Sequence, residues 1–272
     1  MSDDLIYHYT GLKGLIGIIE HREIWATSVR FLNDTGEATF GLRRLQHLVT
    51  EDIKGRDDSY GYLRTFADLI SRMPWTQEPF VTCFCREDDL LSQWRGYGRL
   101  GYAIGFDREA FAALHGGAAR GFALREMIYS KKDQAALVHS AIDELLSRIV
   151  TPPLTGAQSD QIAEWYAPLS VALFKLLPLF KHKAFREEHE VRSESWHTDE
   201  DLCFRETVLG PTPYIITKID DSQGRSTVRT VRVGPTPHPD EAVLGVERLL
   251  ARYDHDNVTV LTSKMPFRWL QS

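Results

Sequence analysis

The sequence predicts an α+β fold in one domain, residues 1–272, with a mixed sheet flanked by helices. Three observations carry that expectation. The chain opens strand, helix, strand. Its middle holds two apolar runs of strand character divided by a loop rich in aromatic and glycine residues. It closes strand, helix, strand, an order that asks for a parallel crossover pair. No internal repeat, low-complexity tract or interdomain linker divides the chain, and 272 residues with 43% apolar content can bury a sizeable core.

The elements follow in order. "LIYHYT" reads as the first strand, and "LKGLIGIIEHR" sets Leu12, Leu15, Ile16 and Ile19 at helical spacing before "EIWATS" returns as the second strand. "TGEATFGLRRLQHLVTEDIKG" places Phe40, Leu42, Leu45 and Leu48 on one helical face; a polar "RDDSYG" turn and another helix to about Arg72 follow. "PFVTCFCRED" and "LGYAIGFDRE" are strands, and "DLLSQWRGYGR" between them reads as a loop rich in aromatic and glycine residues. Helices are expected at about 132–150 and 159–182, joined by the breaker "TPPLTGAQSD". "FREEHEVRSES" begins as a charged helix end and passes into a strand. "PYIITKID", the turn "DSQG" and "STVRTVRVGP" form a hairpin. "DEAVLGVERLLARY" is an amphipathic helix with Asp240 as N-cap, and "NVTVLTS" is the last strand.

Composition narrows the function. A formal charge of −6 and a pI near 5.9 exclude a broad basic surface for tracking duplex phosphates, while leaving room for a local basic cleft. Cys83, Cys85 and Cys203 are odd in number, and no CxxC or His-x-His partner accompanies them. They read as reduced thiols of a cytoplasmic protein, with Cys83 and Cys85 facing one side of a strand. The acidic start "MSDDLIYHYT" lacks the charged and apolar regions of a signal peptide. "WYAPLSVALFKLLPLF" contains Lys175 and two prolines and falls short of a membrane span, so no membrane contact is expected.

Several clusters could carry chemistry. His8 alternates with Tyr7 and Tyr9 along the first strand; alone it reads as a histidine satisfied by a neighbouring carbonyl. Arg30, Asn33, Asp34 and Glu37 follow the second strand. Asp34 and Glu37 have capping-box spacing, and an arginine beside a helix N-terminus also suits a pyrophosphate; the two readings are compatible. Trp94 and Tyr97 lie in a glycine-rich stretch that lacks the spacing of a dinucleotide fingerprint. They either close over the core or offer a stacking surface for a nicotinamide or base. In "FREEHEVR" an extended backbone would point Glu188 and Glu190 to one face. That is either a solvated charge run or a pair compensated by a cation or a substrate hydroxyl.

Five motifs in order, "YHYT", "FLND..E", "CFC....LLSQWRGYG...GYAIGFD", "K.FREEHEVR" and the terminal "S..PFR", resemble the bacterial family of domain-of-unknown-function 2971 proteins across nearly the whole chain. That family in turn resembles, more distantly, the ADP-ribosyltransferase fold with its split mixed sheet. The resemblance implies NAD as substrate, no metal, and a macromolecular acceptor, nucleic acid or protein, with a role as a toxin or anti-phage factor. Carried over by residue, His8 with Thr10 matches the His-x-Ser/Thr start, Glu190 the late glutamate and Glu188 the upstream acid. In that scheme Glu190, Glu188 and His8 are catalytic, and His8, Tyr9, Thr10, Arg30, Asn33, Trp94 and Tyr97 bind the cofactor. The second strand offers Trp25 where the pattern has a tyrosine. Two other classes stand beside this one: a nucleotide-binding sensor without catalysis, and a metal-dependent nuclease using Asp34, Lys183, Glu188 and Glu190.

Overall fold

The structure, a computed structural model, describes residues 4–32, 37–56, 64, 67–68, 79–96, 101–115, 123–148, 170–195 and 202–266. It forms two compact units, one of Met1–Phe31, Pro79–Glu126 and Glu187–Ser272, the other of Leu32–Glu78 and Met127–Arg186.

The first unit holds the sheet. Its strands are β1 (Leu5–Thr10), β2 (Glu23–Ser28), β3 (Phe80–Cys85), β4 (Tyr102–Asp107), β5 (Ala123–Glu126), β6 (Glu190–Ser195), β7 (Cys203–Thr207), β8 (Gly210–Lys218), β9 (Val228–Val233) and β10 (Thr259–Thr262). β9 and β10 are parallel and the other pairs antiparallel, so the α+β class with a mixed sheet is observed. Helices of this unit are α1 (Leu12–His21), α3 (Leu91–Gly96), α4 (Arg108–Leu114) and α6 (Pro239–Arg252); α2 (Glu37–Lys54) and α5 (Lys131–Arg148) belong to the other.

The sheet forks at β3. One edge of β3 is paired along its whole length with β6, from Phe80↔Ser195 to Cys85↔Glu190. The other edge is shared. β1 meets it only at Tyr7↔Cys85, and β2 only at Thr27↔Val81 and Ser28↔Phe80. Beyond those points β1 continues into an arm with β4, β9 and β10, while β2 continues into an arm with β8 and β7.

Side-chain alternation gives the sheet two unlike faces. Ile6, Phe84, Ile104, Phe106, Val191, Val231 and Val233 share one face and are fully or nearly fully buried. α1 brings Leu15, Ile18 and Ile19 to that core, α4 brings Phe111, and α6 brings Val246 and Leu250. Phe84, Phe106 and Phe111 meet edge to face at 5.3–5.6 Å. The opposite face carries Tyr7, Cys83, Cys85, Trp25, Thr27, Glu190, Arg192 and Glu194. Gly105 lies there because Tyr7 and Thr230 cross it closely: a Cβ would come 2.2 Å from Thr230 Oγ1 and 2.9 Å from Tyr7 Cε1.

In the second unit, Leu45 and Val49 of α2, Val138 and Ile142 of α5, and Leu173 and Phe180 form a separate buried core. Among the described residues no helix is long and apolar enough to cross a membrane.

Several sequence expectations are corrected. "PYIITKID" and "STVRTVRVGP" do not form a hairpin ladder. Their bases meet at Asp220↔Ser226, and then β8 joins β2 while β9 joins β4. The fork separates them. "LSQWRG" is a short helix, not a loop, because Trp94 packs inward from it. The N-cap of α6 is His238, with Pro239 opening the helix and Asp240 in its first turn. Helical structure within 159–182 is described only at 170–174 and in the 3-10 turn Leu177–Leu179. The helix expected to end near Arg72 lies almost wholly outside the described residues.

Candidate active site at the fork of the sheet

At the fork, side chains take over where strand pairing stops. His8 follows the last β1 residue paired with β3, and its Nδ1 donates to the Cys83 carbonyl at 2.9 Å. On the other side Thr82 Oγ1 donates to the Trp25 carbonyl at 3.4 Å. Burial pushes the His8 pKa down, the Cys83 carbonyl opposes that, and the Arg205 charge adds to the lowering. A neutral ring that donates through Nδ1 keeps Nε2 as an acceptor. By alternation the His8 ring leaves β1 on the Phe84 side, 6.0 Å from that ring, whereas Glu190 lies on the Tyr7 and Cys85 side. β3, between them, is their link: Cys83 binds His8, and Cys85 pairs with Glu190.

β6 carries a row of buried charge on the polar face. Arg192, 1% exposed, grips Glu190 with Nε to Oε1 at 2.6 Å and a second nitrogen to Oε2 at 3.2 Å. Glu194, fully buried, pairs with Arg125 of β5, and among the described residues its Oε1 has no hydrogen-bond partner. Burial pushes the Glu194 pKa up, against the pull of Arg125 and Arg192. A buried ion pair is weak evidence of stability, since desolvation offsets most of its attraction. Buried, perturbed charge of this kind concentrates at functional sites.

Glu188 and Glu190 are not two steps along one strand. Glu188 ends a 3-10 turn, Lys183–Glu188, and His189 turns the chain at φ 42° before β6 begins. Both acids nonetheless stay close to Cys85, which pairs with Glu190 and whose pKa, pushed up to about 11 chiefly by burial, also senses the Glu188 charge. His189 is fixed by Glu87, Nδ1 to Oε1 at 2.6 Å.

Other residues singled out from the sequence take different places. Tyr9 is buried; its hydroxyl donates to the Glu87 carbonyl at 2.9 Å and accepts from Leu90 N at 3.0 Å. Trp94 is 1% exposed, lies edge to face with Tyr9 at 4.7 Å and donates its indole N–H to Asp89 at 2.7 Å. Packing inside a core accounts for both rings. Thr10 is buried against Gly14 of α1. Arg30 is exposed in the 3-10 turn Val29–Phe31 after β2. Asn33, Asp34 and Tyr97 lie outside the described residues, and of the Glu37 side chain nothing is described.

Sequence reasoning gives Arg192 no role and passes over Glu194 and the β2–β8–β7 surface, where Trp25 meets Tyr214 and Arg205. The signal for the first two was in "EVRSES", whose alternation places three charges on one face.

No curated protein matches the chain in sequence. A structure of a Thermus sp. 2.9 DarT in complex with ADP-ribosylated ssDNA is similar to it at 10% identity and a TM-score of 0.37, over 96% of this chain and 94% of that one. A likeness that loose transfers no residue and no activity. Residues 93–193, ending within β6 and including Glu190 and Arg192, match the model of the family described as "Protein of unknown function (DUF2971)", which bears out over that stretch the resemblance seen in the motifs.

Proposed function

We propose that the protein is an NAD-dependent ADP-ribosyltransferase whose reaction takes place at the fork, with a nucleic acid or protein acceptor. The observation that carries this reading is the fork itself. A split sheet is flanked on one arm by a histidine and on its stem by a buried glutamate held by an arginine, the two on opposite faces, so that a dinucleotide reaching both would thread the fork.

Cleavage of the bond between nicotinamide and ribose releases neutral nicotinamide and leaves an oxocarbenium-like ribose. A carboxylate beside the ribose hydroxyls stabilises that charge. Glu190 takes this role. Its bidentate grip by Arg192 fixes the carboxylate in place, so little reorganisation is needed as charge develops. His8, with Nδ1 committed to Cys83, accepts from a hydroxyl of the adenosine ribose through Nε2. Arg30 holds the pyrophosphate. Glu188, close enough for its charge to reach Cys85, takes the proton from the acceptor as the new bond to the ribose carbon forms.

The test is nicotinamide release from NAD by the full chain, measured by chromatography. Wild type is expected to release nicotinamide, and Glu190→Gln to slow release by about 10² or more while still binding NAD. Equal turnover in the variant removes Glu190 from the mechanism. NAD binding without any release by wild type would instead make the protein a nucleotide sensor.

A further inference from the structure

We propose that the β2–β8–β7 arm carries a stacking site for single-stranded nucleic acid, formed by Trp25, Tyr214 and Arg205. Trp25 is 39% exposed. Tyr214 stacks on it with ring centroids 4.3 Å apart and planes 26° apart, and the Arg205 guanidinium carbon lies 5.7 Å from the indole ring. All three side chains stand on one face: Thr27 pairs with Tyr214, Trp25 with Ile216, and Arg205 with Thr212. Ile216, 44% exposed, continues the apolar floor beside Trp25.

Two features separate this patch from ordinary surface. Large aromatic rings with core roles are buried elsewhere in the unit, as Trp94 and Phe106 are, whereas here Trp25 is exposed beside a half-buried Tyr214. Arg205 is exposed and anchored, donating to Thr27 Oγ1 at 2.9 Å, yet among the described residues no carboxylate pairs with it. Arg22, Arg56, Arg86, Arg192 and Arg232 each meet one. A held cation that meets no carboxylate among the described residues, beside a partly exposed indole, is complementary to a base with its phosphate. Base faces are open in a single strand and stacked away in a duplex. A net charge of −6 gives no extended phosphate track, so the contact is short.

The patch adjoins the fork, since Arg205 is held by Thr27, one of the two β2 residues that pair with β3. It rests on the transferase reading only for the consequence that a strand held here is the acceptor; binding itself needs no NAD.

The experiment is fluorescence anisotropy of the full chain with a labelled oligothymidylate of about 16 nucleotides, without NAD. Wild type is expected to bind. Trp25→Ala is expected to weaken binding about tenfold or more, and Arg205→Ala to reduce the salt slope by about 0.7, the change for one lost phosphate contact. Both positions are exposed, and a thermal melt of each variant confirms folding. No binding by wild type, equal binding of a duplex, or Trp25→Ala binding like wild type would overturn the site. So would a Trp25→Ala variant that loses NAD affinity but keeps the oligonucleotide. Nicotinamide release is measured separately, so the site can fail while the transferase reading stands.

Discussion

The two arms of the forked sheet share a stem but are finished differently. The β1–β4–β9–β10 arm lies under α1, α4 and α6, and its inner face is filled by Phe106, Ile104, Val231 and their neighbours. The β2–β8–β7 arm has a small cluster of Ala26, Phe80 and Ile215, and leaves Trp25, Phe204, Leu209 and Ile216 exposed. Burial of apolar area drives folding, so the first arm supplies stability and the second is free to present chemistry. The stem, with Glu190, Arg192 and Glu194 buried together, accepts a desolvation penalty in return for placing charge inside the fold.

That division can be broken by mutation. Arg192→Met should be among the most damaging single changes, about 3–5 kcal/mol by urea denaturation, because it leaves Glu190 buried without its cation. The double variant Glu190→Gln with Arg192→Met should recover much of the loss; no recovery would show that the pair is not the source. In the covered arm, Phe106→Ala removes a fully buried ring packed against Phe84 and Phe111 and should cost about 3–5 kcal/mol. Phe204→Ser, at a position 62% exposed in the open arm, should change stability by less than about 0.5 kcal/mol. Similar losses from these two would erase the distinction between the arms.

A smaller effect sharpens the account of the fork. His8 has a lowered pKa in the folded protein, so over the window from that value up to its ordinary value of about 6.5 the unfolded chain binds more protons. Stability from this group is therefore present above about pH 6.5 and is lost as pH falls through the window. Denaturation of His8→Asn across that range should show a shallower acid loss than wild type. Matching slopes would mean that the ring is not held neutral.

Much of this fold could be read from the sequence because local pattern specifies it. Alternation in "LIYHYT" and "PFVTCFC", and the helical spacing of Leu15 and Ile19, place β1, β3 and α1 correctly. What local pattern does not carry is the partner of each strand. β8 and β9 follow one another across a short turn, which favours a hairpin, but the fork draws them into different arms. The same limit affected the site. The motifs single out His8 and Glu190, but they carry neither the alternation that sends the two side chains to opposite faces nor the left-handed turn at His189 that separates Glu188 from the strand. Trp94 looked available in a glycine-rich stretch, and only the folded chain shows Asp89 holding it inside. Arg205 and Tyr214 are far from Trp25 in sequence, so no local signal joins them.

Amide hydrogen exchange of the full chain with and without NAD tests the fork as the reaction site most directly. NAD-dependent protection is expected to centre on residues 8–10, 82–84 and 190–194 and to fall when His8 is replaced by Asn. Protection confined to other segments, with those three unchanged at saturating NAD, would contradict it.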